Sequence, residues 1–253
     1  MFNFFKKKPY VRFVNTIPGV EIAHPIIRSH EARHEWIRNA AVDFKQKQAN
    51  QSPTDRLNSI SRCPGVSGLN RLGFIVPNPI DFVITTSLEE PNIFHWDCAE
   101  RMSDGSDYIG SHSMDQLAKY IPFREDTIAP IVKVHTNWKI SASPDIVFLV
   151  MPIAYPDHNV FSSAHGILDP HQTMEINVQL FWHKKQGSAL IRAGTPLTQL
   201  IPIPRELSVD LKVERATPED LYKSTAWNYI QRRNYSRDIK EYFNLTKKLF
   251  KKD

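Results

Sequence analysis

The chain has 253 residues, 41% hydrophobic and 23% charged, an ordinary globular composition that can bury one substantial core and is not that of a disordered segment. Eighteen prolines against nine glycines suit strand edges, rigid loops and first turns of helices and argue against glycine-rich, phosphate-cradling loops. The formal charge of +5 gathers at the two ends, with Lys6, Lys7, Lys8 and Arg12 near the start and nine Lys or Arg against five Asp or Glu over 218–253, which leaves the middle slightly acidic.

Such ends suit contact with nucleic acid or an acidic protein, and equally suit solvated tails that keep the chain soluble. Cys63 and Cys98 lie far apart with no C-x-x-C pattern, so neither a disulfide framework nor a thiolate zinc site is expected and a reducing compartment fits. MFNFFKKKPY lacks a long apolar run followed by a small-residue cleavage site, so secretion is not expected. The longest apolar run, Ile146 to Met151, stops at Pro152 and is too short to span a bilayer. A soluble protein is expected.

In chain order, YVRFVN reads as a short strand, Ser29 to Gln48 as a helix, and KQANQSPTDR as a polar linker. Residues 61–206 are strand-rich and punctuated by proline: GFIVP, IDFVITT, APIVKVHT, KISAS, DIVFLVMP, EINVQLFWH, ALIRAG and LTQLIPIP. Many short β runs separated by turns point to a sandwich, barrel or jelly roll. SVDLKVE reads as one more strand. After it Thr217 caps a helix with Pro218 at its first position and Glu219 and Asp220 in its first turn, running on past Asn234. The division expected is 1–60, an extension with one helix; 61–206, a β-rich core; and 207–253, a strand and a basic helical tail.

His30, Glu31 and His34 spell H-E-x-x-H, the spacing that sets two imidazoles on one helix face for zinc with a carboxylate as general base. A zincin-type site also needs a third ligand and a sheet edge to align its substrate, yet only 29 residues precede His30 and no second motif marks a ligand. The competing reading is a polar helix face on which Glu31 and Glu35 meet Arg28, Arg33 and Arg38, anchored by Trp36 and Ile37. No metal, cofactor or catalytic residue is assigned from this motif.

A stronger signal lies between Ala164 and Ile203. A turn at Gly166-Ile167-Leu168-Asp169 precedes a strand, Glu175 to His183, in which Val178, Leu180 and Trp182 alternate with polar residues. A second strand and a turn at Gly194-Thr195-Pro196 follow. This order resembles the core of the trimeric dUTPase and dCTP-deaminase family, which carries G-[VIL]-[IVL]-D, then a strand, then I-x-x-G-[DE]-R-[IL]-[AG]-Q. The matching residues are Gly166 to Asp169, then Ile191, Gly194, Leu197 and Gln199, and the resemblance covers Lys139 to Arg205.

It implies a mainly β, dUTPase-like β-clip or jelly-roll domain that trimerises, here with helical extensions at both ends. The activity does not follow. Met151-Pro152-Ile153-Ala154 stands where the family has phosphate-binding P-R-S-G, Pro196 replaces the Arg of G-[DE]-R, and no glycine follows Gly194. Donors that would neutralise a triphosphate are therefore missing at the matching positions. If a nucleotide is handled, Asp169, His171 and Gln199 are the residues to touch it, with His183 nearby; an Asp before Pro is equally a turn former.

The chain is also similar to uncharacterised proteins of tailed phages, particularly cyanophage-type myoviruses. That resemblance rests on Cys63-Pro64, Gly73 to Pro77, Asn137-Trp138-Lys139-Ile140 and Gly194 to Arg205. It implies a source, virion or host cytoplasm, and no activity.

The reading that joins these observations is a non-catalytic phage structural or binding protein on a dUTPase-like scaffold, assembling with itself as a trimer or with other virion proteins. Trp182, Phe148 and Leu180 are the expected core or subunit-contact residues, alongside Ile146, Val178, Leu197 and Leu200, with Trp182 either an interface anchor or purely intrachain. One alternative is a nucleotide-binding or nucleotide-hydrolysing enzyme. The other is a metal-dependent enzyme of cupin type, for which His165, Asp169, His171 and His183 supply the residue types.

Overall fold

The computed structural model describes residues 8–32, 34–50, 59–60, 63–102, 104–117 and 119–233. Lys6 and Lys7, Arg33 of the H-E-x-x-H stretch, and the basic run after residue 233 lie outside them. Contacts divide the chain into a unit ending at Glu206 and a second beginning at Leu207.

The first unit is mainly β, built from three antiparallel sheets. Its elements are β1 (Val11–Asn15), α1 (Val20–Ala23), β2 (Ile27–Arg28), α2 (Glu35–Asn50), α3 (Pro64–Leu69), β3 (Phe74–Pro77), β4 (Phe82–Thr86), β5 (Phe94–Cys98), β6 (Ile109–His112), β7 (Ile131–Ala142), β8 (Ile146–Met151), β9 (Phe161–Ser163), β10 (Gly166–Leu168), β11 (Glu175–Trp182), β12 (Gly187–Ile191) and β13 (Pro196–Pro204). One sheet runs β1-β7-β11-β9, with β6 sharing an edge of β7 with β1; the second runs β10-β8-β13-β3-β2; the third is β12-β4-β5.

β1 pairs along β7 and β2 along β3, so residues before position 60 complete both five-stranded sheets. The period-2 pattern read from sequence governs β7 and β11. Val132, Val134, Trp138 and Ile140 point inward from the first, and Ile176, Val178, Leu180 and Trp182 from the second. Phe148, Val76, Leu197 and Leu200 from the second sheet and Phe82, Ile84 and Ile191 from the third join them in one shared core.

Asn137 interrupts β7 with φ +58°, where β11 shifts register between Glu175 and Asn177. This is a β-bulge whose left-handed residue is one of the few non-glycine types that tolerate it. Trp182, Phe148 and Leu180 are fully buried inside one chain, and the Trp182 indole stacks at 6.2 Å and 11° on Phe161. These three residues are spent on the intrachain core, so a subunit contact must use other side chains.

Two expectations are corrected. The helix placed from Ser29 begins at Glu35, after a 3-10 turn over Ser29–Glu31 and an extended Ala32. SVDLKVE pairs with no strand among the described residues. Strands β2, β9 and β10 escaped the sequence reading because each is two or three residues long, too short for a periodic signal, and β5 and β6, FHWDC and IGSH, because they carry few apolar residues.

In the second unit, α4 (Pro218–Arg233) starts as its sequence predicts. The Asp220 amide donates to Thr217 Oγ1 at 3.2 Å while the Asp220 carboxylate accepts from the Thr217 amide at 2.9 Å, a reciprocal capping box.

Candidate functional site

Asp169 follows β10 directly, and Pro170 after it forbids helix at this point. Its Oδ1 accepts the His171 amide at 2.9 Å, the local bond of an Asx turn. The Arg205 guanidinium then grips the carboxylate through both terminal nitrogens, Nη2 reaching Oδ1 at 2.7 Å and Nη1 reaching Oδ2. Arg205 Nε donates to Pro144 O at 2.8 Å and its amide to Asp145 O at 2.8 Å. One side chain thus ties the end of β13 to the β7–β8 turn and the turn after β10.

The Arg205 hydrogen bonds, followed by the His171 amide, hold the Asp169 carboxyl well below the usual carboxylate range. A carboxyl depressed in the folded state adds stability above its unfolded pKa of about 3.9, and this is lost as pH falls through the folded value. Arg205→Met is therefore expected to lose less stability than the wild type between pH 5 and pH 2, measured by urea midpoints across that range. Equal acid slopes for both proteins would contradict the lock.

Gln199, on β13, is buried and its amide nitrogen meets Ser29 Oγ at 2.9 Å, Leu69 O at 3.0 Å and Leu72 O at 2.6 Å. It closes the end of α3 and the start of the 3-10 turn onto the sheet. Asp169 and Gln199 share no partner, and His171 is exposed. Of the three residues nominated for a nucleotide, two are thus held by separate sets of partners within the fold.

The H-E-x-x-H residues are also separated by local structure. His30 lies on the 3-10 turn, exposed beside Glu31, whose carboxylate accepts the Arg28 amide at 3.1 Å. His34 precedes α2 and is buried, with Nδ1 3.3 Å from Asp157 Oδ2. A spacing that aligns imidazoles only within a helix does not align them across a turn and an extended residue.

Asp157 does more than meet His34. Its Oδ1 accepts the Glu35 amide at 3.1 Å and lies 3.5 Å from that of Trp36, while Trp36 Nε1 donates to Tyr155 O at 2.6 Å. A carboxylate from the distant 152–160 loop thereby caps the N-terminus of α2. Asp157→Ala is expected to cost about 0.5–2 kcal/mol and to raise amide exchange through the first turns of α2. Unchanged exchange there would contradict the cap.

The structure does assemble a different polar group. Just past the end of β11, His183 meets Thr127 Oγ1 at 2.7 Å through Nδ1 and Ser162 Oγ at 2.8 Å through Nε2. His183 and Ser162 lie at a cavity of about 330 Å³ that Arg124, Ile153, His158, Phe161 and Leu197 also line. His158 Nδ1 is buried without a hydrogen-bond partner and its ring packs 4.2 Å from Phe161. Burial lowers the pKa of both imidazoles, so each is neutral near pH 7. The neutral His183 ring can pass one proton between two hydroxyls. Arg124 is engaged by Asp126 at 2.5 Å.

Sequence reasoning named His183 but not Ser162, Thr127 or Arg124. Their only advance signal is that 181 and 183 share the outer face of a strand whose even positions are core. Asp169 and His183 are each held by other partners, and among the described residues no three His, Cys, Asp or Glu side chains converge as a metal site. No protein-family model matches the chain, and no curated protein matches it.

Proposed function

We propose that this chain is a structural or binding protein of a tailed phage, built on a dUTPase-like β-clip and assembling with copies of itself, and that it performs no triphosphate chemistry. The antiparallel β-rich architecture is consistent with that scaffold. The observation that carries the reading is the use made of Asp169: the carboxylate at the position matching the family's motif is clasped by Arg205 through two hydrogen bonds. A nucleotide would have to displace a charge-assisted, bidentate pair to reach it. Gln199, the other buried candidate, is committed to three acceptors within the fold.

Calorimetric titration with the four deoxynucleoside triphosphates and Mg²⁺ tests the chemical half of the reading. No heat beyond dilution is expected, whereas a saturable isotherm lost in Asp169→Asn would establish the nucleotide alternative. The biological half predicts this chain at a fixed copy number in purified particles by quantitative mass spectrometry; its absence from them would remove the virion role.

A further inference from the structure

Leu207, Val209, Leu211 and Val213 alternate with Ser208, Asp210, Lys212 and Glu214, the period of a strand with one apolar face. All four apolar side chains are exposed, at 75, 74, 87 and 85%. Among the described residues, no backbone hydrogen bond joins 207–216 to another element. Eight residues with strand chemistry, no ladder and no cover form a strand without its sheet.

We propose that this arm adds to the free edge of β5 in a second copy of the chain. This rests on the reading of the protein as a self-assembling scaffold and names the contact. Among the described residues β5 has a neighbour, β4, on one side only. Its inward row carries Trp96, still 39% exposed at that edge, and its outer row carries His95 and Asp97. Antiparallel pairing that sets Val213 beside Trp96 brings Leu211 to Cys98, Lys212 to Asp97 and Glu214 to His95. Parallel pairing with Leu211 beside Trp96 brings Lys212 to Asp97 and Asp210 to His95.

Either direction therefore covers the indole with an aliphatic residue and sets Lys212 beside Asp97. The other third-sheet edge, β12, has no charged residue to match, β2, β9 and β10 are only two or three residues long, and the first-sheet edge strands β1 and β6 carry only Arg12 and His112 respectively, with no pair like His95 and Asp97 on one face. Because one chain carries both the arm and the edge, two copies can exchange arms reciprocally, or the contact runs head-to-tail and closes into a ring when the rotation permits.

The test uses full-length chains with Cys63→Ser and Cys98→Ser. One population carries Asp97→Cys and the other, distinguishable by a tag, carries Lys212→Cys. Oxidation of the mixture is expected to give a disulfide heterodimer on non-reducing gels. A chain with both new cysteines that oxidises only within itself at micromolar concentration, or no cross-link in the mixture, overturns the proposal. By sedimentation, Lys212→Glu is expected to weaken self-association at least tenfold and Asp97→Lys in the same chain to restore it within threefold. Failure of the second change to restore would also overturn it. If chains form a trimer without the cross-link, the scaffold reading stands and the arm contact falls; if chains stay monomeric by sedimentation and no cross-link forms, both fall.

Discussion

Gly73→Ala is expected to be the most damaging single methyl group in the protein, costing more than about 4 kcal/mol. A Cβ at this position would lie 2.0 Å from the Leu200 carbonyl oxygen and 2.9 Å from Ile201 Cα, both backbone atoms of the adjacent β13, and φ is +70°. Neither obstacle can rotate away, and separating β3 from β13 would open the second sheet at its centre. The Gly73 carbonyl in turn accepts the Ser29 amide at 3.0 Å. Gly194→Ala offers the contrast: φ is +83°, but the nearest atom, at 3.0 Å, is the His24 imidazole, which can move. Its cost is expected near about 1–2 kcal/mol. Urea unfolding of the two variants checks the order, and a Gly73→Ala protein as stable as the Gly194→Ala protein would refute the close approach of β3 and β13.

Trp182→Ala is expected to lower stability by about 3–5 kcal/mol, independently of protein concentration, because the side chain is fully enclosed within one chain. Trp182→Phe should retain most of that stability. The indole nitrogen has no hydrogen-bond acceptor, so phenylalanine removes no bond and relieves a buried unpaired donor, set against the gap its smaller ring leaves. If instead the unfolding midpoint of Trp182→Ala rises towards the wild type with increasing concentration, Trp182 acts at a subunit interface. If Trp182→Phe costs as much as Trp182→Ala, an unseen partner holds the indole.

Where side-chain alternation was long, the sequence read directly into structure. β8, β11 and β13 fall where their apolar runs place them, β7 joins the two runs APIVKVHT and KISAS into one strand, and Thr217 with Pro218 opens α4 as its capping chemistry requires. The misreadings have a common physical origin in partners far away in sequence. Helix α2 starts at Glu35 because the Asp157 carboxylate caps it from more than 120 residues away. Nothing in HEARHEW announces that partner, and a helix started earlier would have aligned His30 with His34. The Leu207–Val213 stretch has strand periodicity but no strand, because pairing needs an edge that periodicity does not supply.

The candidate site was legible in part. Asp169 was marked by its motif and Arg205 by the sequence that closes the domain, but their bidentate contact joins two elements and is visible only in three dimensions. The His183–Ser162 pair similarly requires β9 beside β11 in a register where Ser162 lies opposite Phe181. An apolar core emerges from the pattern of one strand at a time, whereas polar sites depend on which strands become neighbours.

Self-assembly is the central claim, and static light scattering on the full-length chain tests it most directly. The account predicts a species near three times 29.2 kDa at micromolar concentrations. A stable monomer at tens of micromolar would contradict it.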